Sequence, residues 1–326
     1  MTSPEIGVVL PTASAPGDLP GDVVAAARHA EALGFESVWA VDQLVGGTGV
    51  PLLESTVVLA AAAGATSRVG LGFGVLVVPL RPVAWIAKQV ATLQRISGDR
   101  VLLGVGVGGD RHEGSWAAVG VRRRDRGPRL DAALRALPGL IAGEATTLEG
   151  EPGAPTVRLA PGATVPPLLV GGMSPRALAR AAEHGDGWFV MPGPPAAVAE
   201  ARAQLTAALA EHGRPPSAAT ITVALMVALD GDPEVPDLDG LVRLLSDPDG
   251  VVGMPAELVA DVVTTGGPAE LADLLRAHAE AGADRVVVNV AAGDWHRQTD
   301  LVARAAQLLR QAPVGTASGN AGSDHP

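Results

Sequence analysis

The 326-residue chain has no cysteine and no tyrosine, and only 2% of it is aromatic. The first absence removes disulfides, zinc–thiolate sites, iron–sulfur clusters and cysteine nucleophiles together. The scarcity of aromatics leaves Val, Leu and Ala to fill the interior of a chain that is 47% hydrophobic. Positive charge is also short. Twenty-four Lys and Arg face 35 Asp and Glu, a formal net charge of -11, which argues against nucleic acid, whose phosphates need clustered cations. Only Arg122–Arg126 (RRRDR) is locally basic, either a solvated loop or a contact for a phosphate or cofactor tail. No apolar run approaches the ~18 residues of a membrane span, and the N-terminal segment lacks the basic region of a signal peptide. A cytoplasmic protein that engages neither nucleic acid nor membrane is the expectation. No HExxH or other spaced ligand set occurs, so no metal is expected, and there is no G-x-S-x-G elbow.

What is present is a repeated physical theme. AEALGFESVW (30–39), AAEHGDGWF (181–189) and AEAGADRVVV (279–288) each run from helix, through Gly, into an apolar strand. Apolar runs predict strands near 5–10, 36–41, 69–77, 100–107, 167–171, 186–191, 220–229 and 285–291. Amphipathic stretches at 20–33, 84–96, 174–184, 196–211, 268–281 and 299–310 fall between them, and another helix is expected from about Arg126. Eight strands with helical crossovers fit a (β/α)8 TIM barrel better than a doubly wound sheet. No composition shift marks a second domain, so residues 1–312 are expected to form one domain and the Gly/Ser/Ala-rich 313–326 a disordered tail. The longer interruptions 110–125, 143–166 and 230–256 are expected to be functional insertions, lids or disordered excursions.

Candidate sites cluster at the C-terminal ends of the strands, where α/β folds bind ligands. Gly104–Gly109 (GVGVGG) matches G-x-G-x-x-G, but the loop-like DRHEGSW follows it and the strand is the fourth of the chain. A dinucleotide fingerprint needs a helix opening on the third glycine of the first βαβ unit. Backbone left bare for a flat ring at Gly106, Val107 and Gly108 is the better reading, with a structural turn as the alternative. Gly72-Phe73-Gly74-Val75 breaks a strand interior and implies a bulge or a close approach. Gly171-Gly172-Met173-Ser174-Pro175 joins a strand to a helix. Ser174 is a suitable N-cap and Pro175 a first helical residue, and the free amides of Gly172, Met173 and Ser174 would suit a phosphate.

These motifs resemble the luciferase-like family of flavin- and deazaflavin-dependent oxidoreductases. The resemblance runs from Ile6 to about Leu309 and is strongest in 22–109 and 166–189. It implies a luciferase-like TIM barrel with insertions at its C-terminal face. It also implies a non-proline cis peptide at Gly74-Val75 behind the cofactor ring, with Val77 beside it, and a cofactor-phosphate loop at Gly171–Ser174. Family members commonly carry Asp-His at the end of the second strand. This chain has Asp42-Gln43, and an amide cannot be a general base. His112 and His296, after the fourth and eighth strands, are candidate replacements. Asp42, Gln43 and His112 are therefore the catalytic candidates, and Trp116, Trp295 and His296 the substrate-binding ones. Arg126 falls in a family-like stretch and could contact a phosphate or form a surface salt bridge. Absence of Lys after Val190-Met191-Pro192 argues against a sugar phosphate. The glycine-rich strand ends favour coenzyme F420 and hydride transfer to or from a small organic substrate. Arg111 keeps FMN, and an oxygen-using monooxygenase fed by a partner reductase, as the alternative. A non-catalytic flavin-binding protein is the third reading. Family members are often dimeric, so a homodimer is a further expectation.

Overall fold

The structure is a computed structural model that describes residues 3–15, 17–46, 49–109 and 113–311. His112, Arg111 and the expected tail lie outside the described residues. In chain order the elements are β1 (Glu5–Val9), α1 (Val23–Leu33), β2 (Ser37–Ala40), α2 (Ser55–Ala65), β3 (Gly70–Phe73), β4 (Leu76–Val77), α3 (Val83–Ser97) and β5 (Val101–Gly106). Next come α4 (Glu113–Val119), α5 (Arg126–Ala142), β6 (Thr146–Thr147), β7 (Thr156–Val157), β8 (Leu168–Gly171), α6 (Pro175–His184), β9 (Gly187–Val190) and α7 (Pro195–Glu211). The last are β10 (Thr220–Val227), α8 (Leu238–Ser246), α9 (Ala256–Val262), β11 (Val263–Thr264), α10 (Pro268–Glu280), β12 (Arg285–Val290) and α11 (Trp295–Gln311).

Parallel pairing runs β1, β2, β3, β5, β8, β9, β10, β12 and back to β1, closing an eight-stranded barrel. This is the (β/α)8 barrel expected from the eight apolar runs. Both faces of each strand are covered, by helices outside and by the packed interior within, so the runs are nearly continuous rather than alternating. The third strand is interrupted. Gly72 pairs with Leu102 and Leu76 with Val105, so three residues, 73–75, span what two residues of β5 cover. That mismatch is a β-bulge.

Two of the few aromatics pair at the centre of the barrel. Trp39 is fully buried inside the barrel, edge-on to Phe189 at 5.4 Å between ring centroids, and its indole N–H donates to Ser37 Oγ at 2.7 Å. A Cβ on Gly7 or Gly72 would lie 2.4 or 2.2 Å from the Trp39 ring, so glycine there makes room for the indole.

Three insertions take shape in the described residues. The 110–125 interruption holds α4, the 143–166 stretch carries the antiparallel β6–β7 pair, and 230–256 contributes α8 and the start of α9. Helix α2 was not among the expected helices because STVVLAAAAGA is apolar on nearly every side and carries no helical period. Helix α11 starts at Trp295 rather than near 299. Asp294 sets the start, its carboxylate accepting from Arg297 N and its carbonyl from Gln298 N, both at 2.9 Å.

At the opposite end of the barrel, Glu31 of α1 accepts from the backbone amides of Ser67, Arg68 and Val69 at 2.9, 2.6 and 2.9 Å. Burial alone would raise its pKa, but these amides outweigh burial and hold the carboxyl at about 2. A carboxyl depressed in the folded state stabilises above its unfolded pKa and loses that stabilisation as pH falls from about 4.5 toward about 2. Glu31→Gln is expected to lower stability by ~1–3 kcal/mol at pH 7. Urea midpoints should show the gap from wild type narrowing at pH 3; a constant gap would mean the charge plays no part.

Candidate active site

The bulge supplies the centrepiece of the C-terminal mouth. The Gly74-Val75 peptide bond is cis, where the family resemblance located it. Val75 is half-buried and packs on the layer containing Trp39, Leu169 and Phe189. Its methyl groups stand 3.0, 2.8 and 3.0 Å from where a Cβ would lie on Gly104, Gly106 and Gly171. The Phe73 carbonyl oxygen lies 2.1 Å from that point on Gly104. These glycines are therefore occupied by the protein's own bulge rather than left bare. Gly108, at φ +75°, makes room in the same way for Val77 and Trp116, at 2.6 and 2.8 Å. Val107 packs, half-buried, against the main core. Only Gly109 of this run faces open space.

Asp42 sits at the end of β2 with its side chain fully buried. Arg81 grips it with two hydrogen bonds of 2.7 Å, Ser55 Oγ donates at 2.8 Å and the Val77 amide at 2.8 Å. Arg81 also reaches Glu54 at 3.1 Å. The donors come from the start of α2, from β4 and from the turn before α3, so the carboxylate ties the second strand to the far side of the bulge. Both of its oxygens are committed as acceptors within the fold. The sequence pointed to Asp42 but not to Arg81, which lies 39 residues away in the turn before α3.

Two cavities open beside this knot. A smaller one of about 170 Å³ is bounded by Asp42, Gln43, Val77, Leu80, Gly108, Gly109, Ser115 and Trp116. Ser115 Oγ accepts from Val45 N at 2.9 Å, fastening the loop after β2 to α4. Trp116 is buried and donates to the Gly109 carbonyl at 3.2 Å. Arg126 lies over its ring at 3.7 Å from the centroid and donates to the same carbonyl at 3.2 Å. Arg126 is thus a buried brace on the β5 loop through a cation–π contact.

The larger cavity, about 550 Å³, lies between the ends of β1, β2, β10 and β12 and the insertion containing α8. Gln43 borders both cavities. Trp295 forms part of the larger wall and donates to the Val9 carbonyl at 2.9 Å. His296 does not join it. It is exposed and stacks on His29 of α1 at 4.9 Å, outside both cavities, because α11 begins one residue earlier and turns it outward. Asn289, which the strand reading passed over, lines the larger cavity. Its signal was a lone amide near the C-terminal end of RVVVNV, where barrel strands present functional groups.

The Gly171–Ser174 turn has the expected cap: Ser174 Oγ accepts from Ala177 N at 3.2 Å, with Pro175 opening α6. The Gly172 amide is already engaged with the Phe189 carbonyl at 3.3 Å, and the Gly172 carbonyl accepts from Trp188 at 2.7 Å. That leaves the exposed Met173 and Ser174 with amides that no described residue accepts from.

The family model for luciferase-like monooxygenases matches residues 4–236. An uncharacterized protein of Mycobacterium tuberculosis is 38% identical over 143 residues, 43% of this chain and 49% of that protein. The 5,10-methylenetetrahydromethanopterin reductase of Methanolobus tindarius is 28% identical over 210 residues, 63% of this chain and 61% of that one. An F420-dependent glucose-6-phosphate dehydrogenase of Beutenbergia cavernae is 34% identical over 194 residues, covering 56% and 55%. The chain spans about half to three-fifths of the length of these curated relatives. Among solved structures, an F420-dependent secondary alcohol dehydrogenase in complex with an F420-acetone adduct aligns with a TM-score of 0.79. Its identity is 18%, over 95% of this chain and 100% of that one. Monooxygenase RslO1 from Streptomyces bottropensis aligns at 0.70 with 21% identity, over 88% and 92%. At such identities the likeness is one of fold.

Proposed function

Because this chain belongs to the luciferase-like monooxygenase family, we propose that it is an oxidoreductase holding coenzyme F420 at the C-terminal mouth of its barrel. It would transfer a hydride between that cofactor and a small organic substrate. The observation that carries this reading is the bulge: a half-exposed Val75, wedged against three glycines and backed by the Trp39–Phe189 layer, offers a firm apolar shelf. The residues fit a flat apolar ring with a phosphate-bearing tail. Val75 and Val77 would hold the ring, and the amides of Met173 and Ser174 the phosphate. When bound, F420 supplies or accepts the hydride, and the protein supplies position and electrostatics. The F420-dependent relatives support the cofactor choice.

The chain's own residues divide the remaining work. Arg81 and Asp42 fix the bulge relative to β2. Gln43 can donate and accept hydrogen bonds between the two cavities but cannot take a proton. Trp116 forms part of the wall of the smaller cavity, and Arg126 braces its ring. Proton delivery is assigned to solvent or to His112.

Ser174→Ala removes both a cap and a neighbour of the proposed phosphate. It is expected to cost ~1 kcal/mol of stability and to weaken F420 binding several-fold; unchanged affinity would dissociate this loop from the cofactor. The reading as a whole is tested by turnover. Reduced F420 should be oxidised by organic acceptors without oxygen uptake. Oxygen uptake with reduced FMN and no reaction with F420 would replace it by the monooxygenase reading.

A further inference from the structure

We infer that the larger cavity takes a neutral, mainly apolar molecule carrying a carbonyl or hydroxyl group, and that Asn289 is the residue that anchors this group. That the molecule is the substrate rests on the proposed oxidoreductase reading; the binding site itself does not. The cavity's volume of about 550 Å³ lies inside the usual span for small-molecule sites, about 300–1,000 Å³. Its wall is largely aliphatic, including Leu52, Met226, Leu245 and Val252, and α8 and α9 stiffen one side. Leu241, Leu245 and Val259 pack there into a separate small core with Met226.

Charge selects against ionic ligands. No Lys, Arg or His lines this cavity among the described residues, and the single ionisable side chain is Asp247. Asp247 is exposed, and its carboxylate is already turned back to accept from Asp249 N at 2.9 Å. A carboxylate or phosphate would enter without a counter-charge, which an apolar wall penalises heavily. Asn289 stands in β12 opposite Met226, half-buried, with no hydrogen-bond partner for its carboxamide among the described residues. A partly desolvated amide without a partner is poorly satisfied by the protein alone. It both donates and accepts, so it complements a carbonyl or a hydroxyl equally. Gln43, which also lines this cavity, is a second amide of the same kind.

The test uses the full chain, free of cofactor and loaded with F420. Four eight-carbon probes, 2-octanone, 2-octanol, octanoate and octylamine, are titrated by calorimetry. The ketone and alcohol should bind, and octanoate and octylamine at least tenfold more weakly. Asn289→Leu, similar in size and apolar, should weaken the ketone by about tenfold, the worth of one buried hydrogen bond, while leaving F420 affinity unchanged. Asn289→Ser keeps a hydrogen-bonding group and serves if the leucine variant does not fold; its ketone affinity should fall between the two. Tighter binding of either ion, or ketone affinity indifferent to both substitutions, overturns the inference. Ketone binding without F420 binding would remove the cofactor reading and leave this site standing. F420 binding without ketone binding would do the reverse.

Discussion

Gly104→Ala is expected to destabilise the protein by ~3 kcal/mol or more, at the upper end of what overpacking does. The added methyl would meet the Phe73 carbonyl oxygen at 2.1 Å and a Val75 methyl at 3.0 Å. The oxygen is backbone, held within the third strand next to the bulge, and cannot rotate away as a side-chain end could. The strain must pass into residues 73–75, and F420 affinity should fall together with stability. Gly109→Ala is the control. It lies five residues on in the same glycine run, but an added Cβ there meets nothing within 4 Å, so stability should change by less than about 0.5 kcal/mol. Urea denaturation of the two variants reads the contrast directly. Equal losses would mean that the glycines serve chain flexibility rather than making room for the bulge.

The second large effect is expected at Arg81. Its side chain is 19% exposed and that of Asp42 is 0% exposed, so Arg81→Met strands a buried carboxylate with only Ser55 Oγ and the Val77 amide as donors. Breaking a buried pair from one side costs about 3–5 kcal/mol. Asp42→Asn in the Arg81→Met background removes the stranded charge while keeping the shape, so the double variant should be more stable than Arg81→Met alone. A double-mutant cycle in urea gives the coupling. Additive losses would show that the two side chains act independently, and that Asp42 is free for another role.

The barrel was legible because its strands are covered on both faces and so appear as unbroken apolar runs, three of them entered from a helix through a Gly link. Helix α2 escaped for the same reason in reverse: a segment apolar all round has no period to read. At the site, residue types were legible but their partners were not. The run Gly104–Gly109 was read as backbone left bare for a ring and Gly171 as part of a phosphate turn, and sequence spacing cannot say that Val75 from the neighbouring strand packs on Gly104, Gly106 and Gly171. Asp42 stood out as an acid at a strand end, but its commitment to Arg81 depends on the bulge bringing residues 77 and 81 back toward β2. His296 was singled out for its place after the eighth strand, but as the second residue of α11 it is exposed and stacks on His29. The burial of Arg126 was not legible because its cation–π partner, Trp116, is ten positions away across a loop. Asn289 carried a signal, a single amide among valines, that becomes informative only once the strand's end is known to face a cavity.

Fluorescence titration of the purified, cofactor-free protein with oxidised F420, and in parallel with FMN, bears most directly on the central proposal. Saturable binding of F420, tighter than that of FMN and weakened by Gly104→Ala but not by Gly109→Ala, is the expected result. Selective FMN binding would contradict the cofactor assignment. Failure of both to bind at high micromolar concentration would leave the Val75 bulge and the Ser174 turn as structural features only.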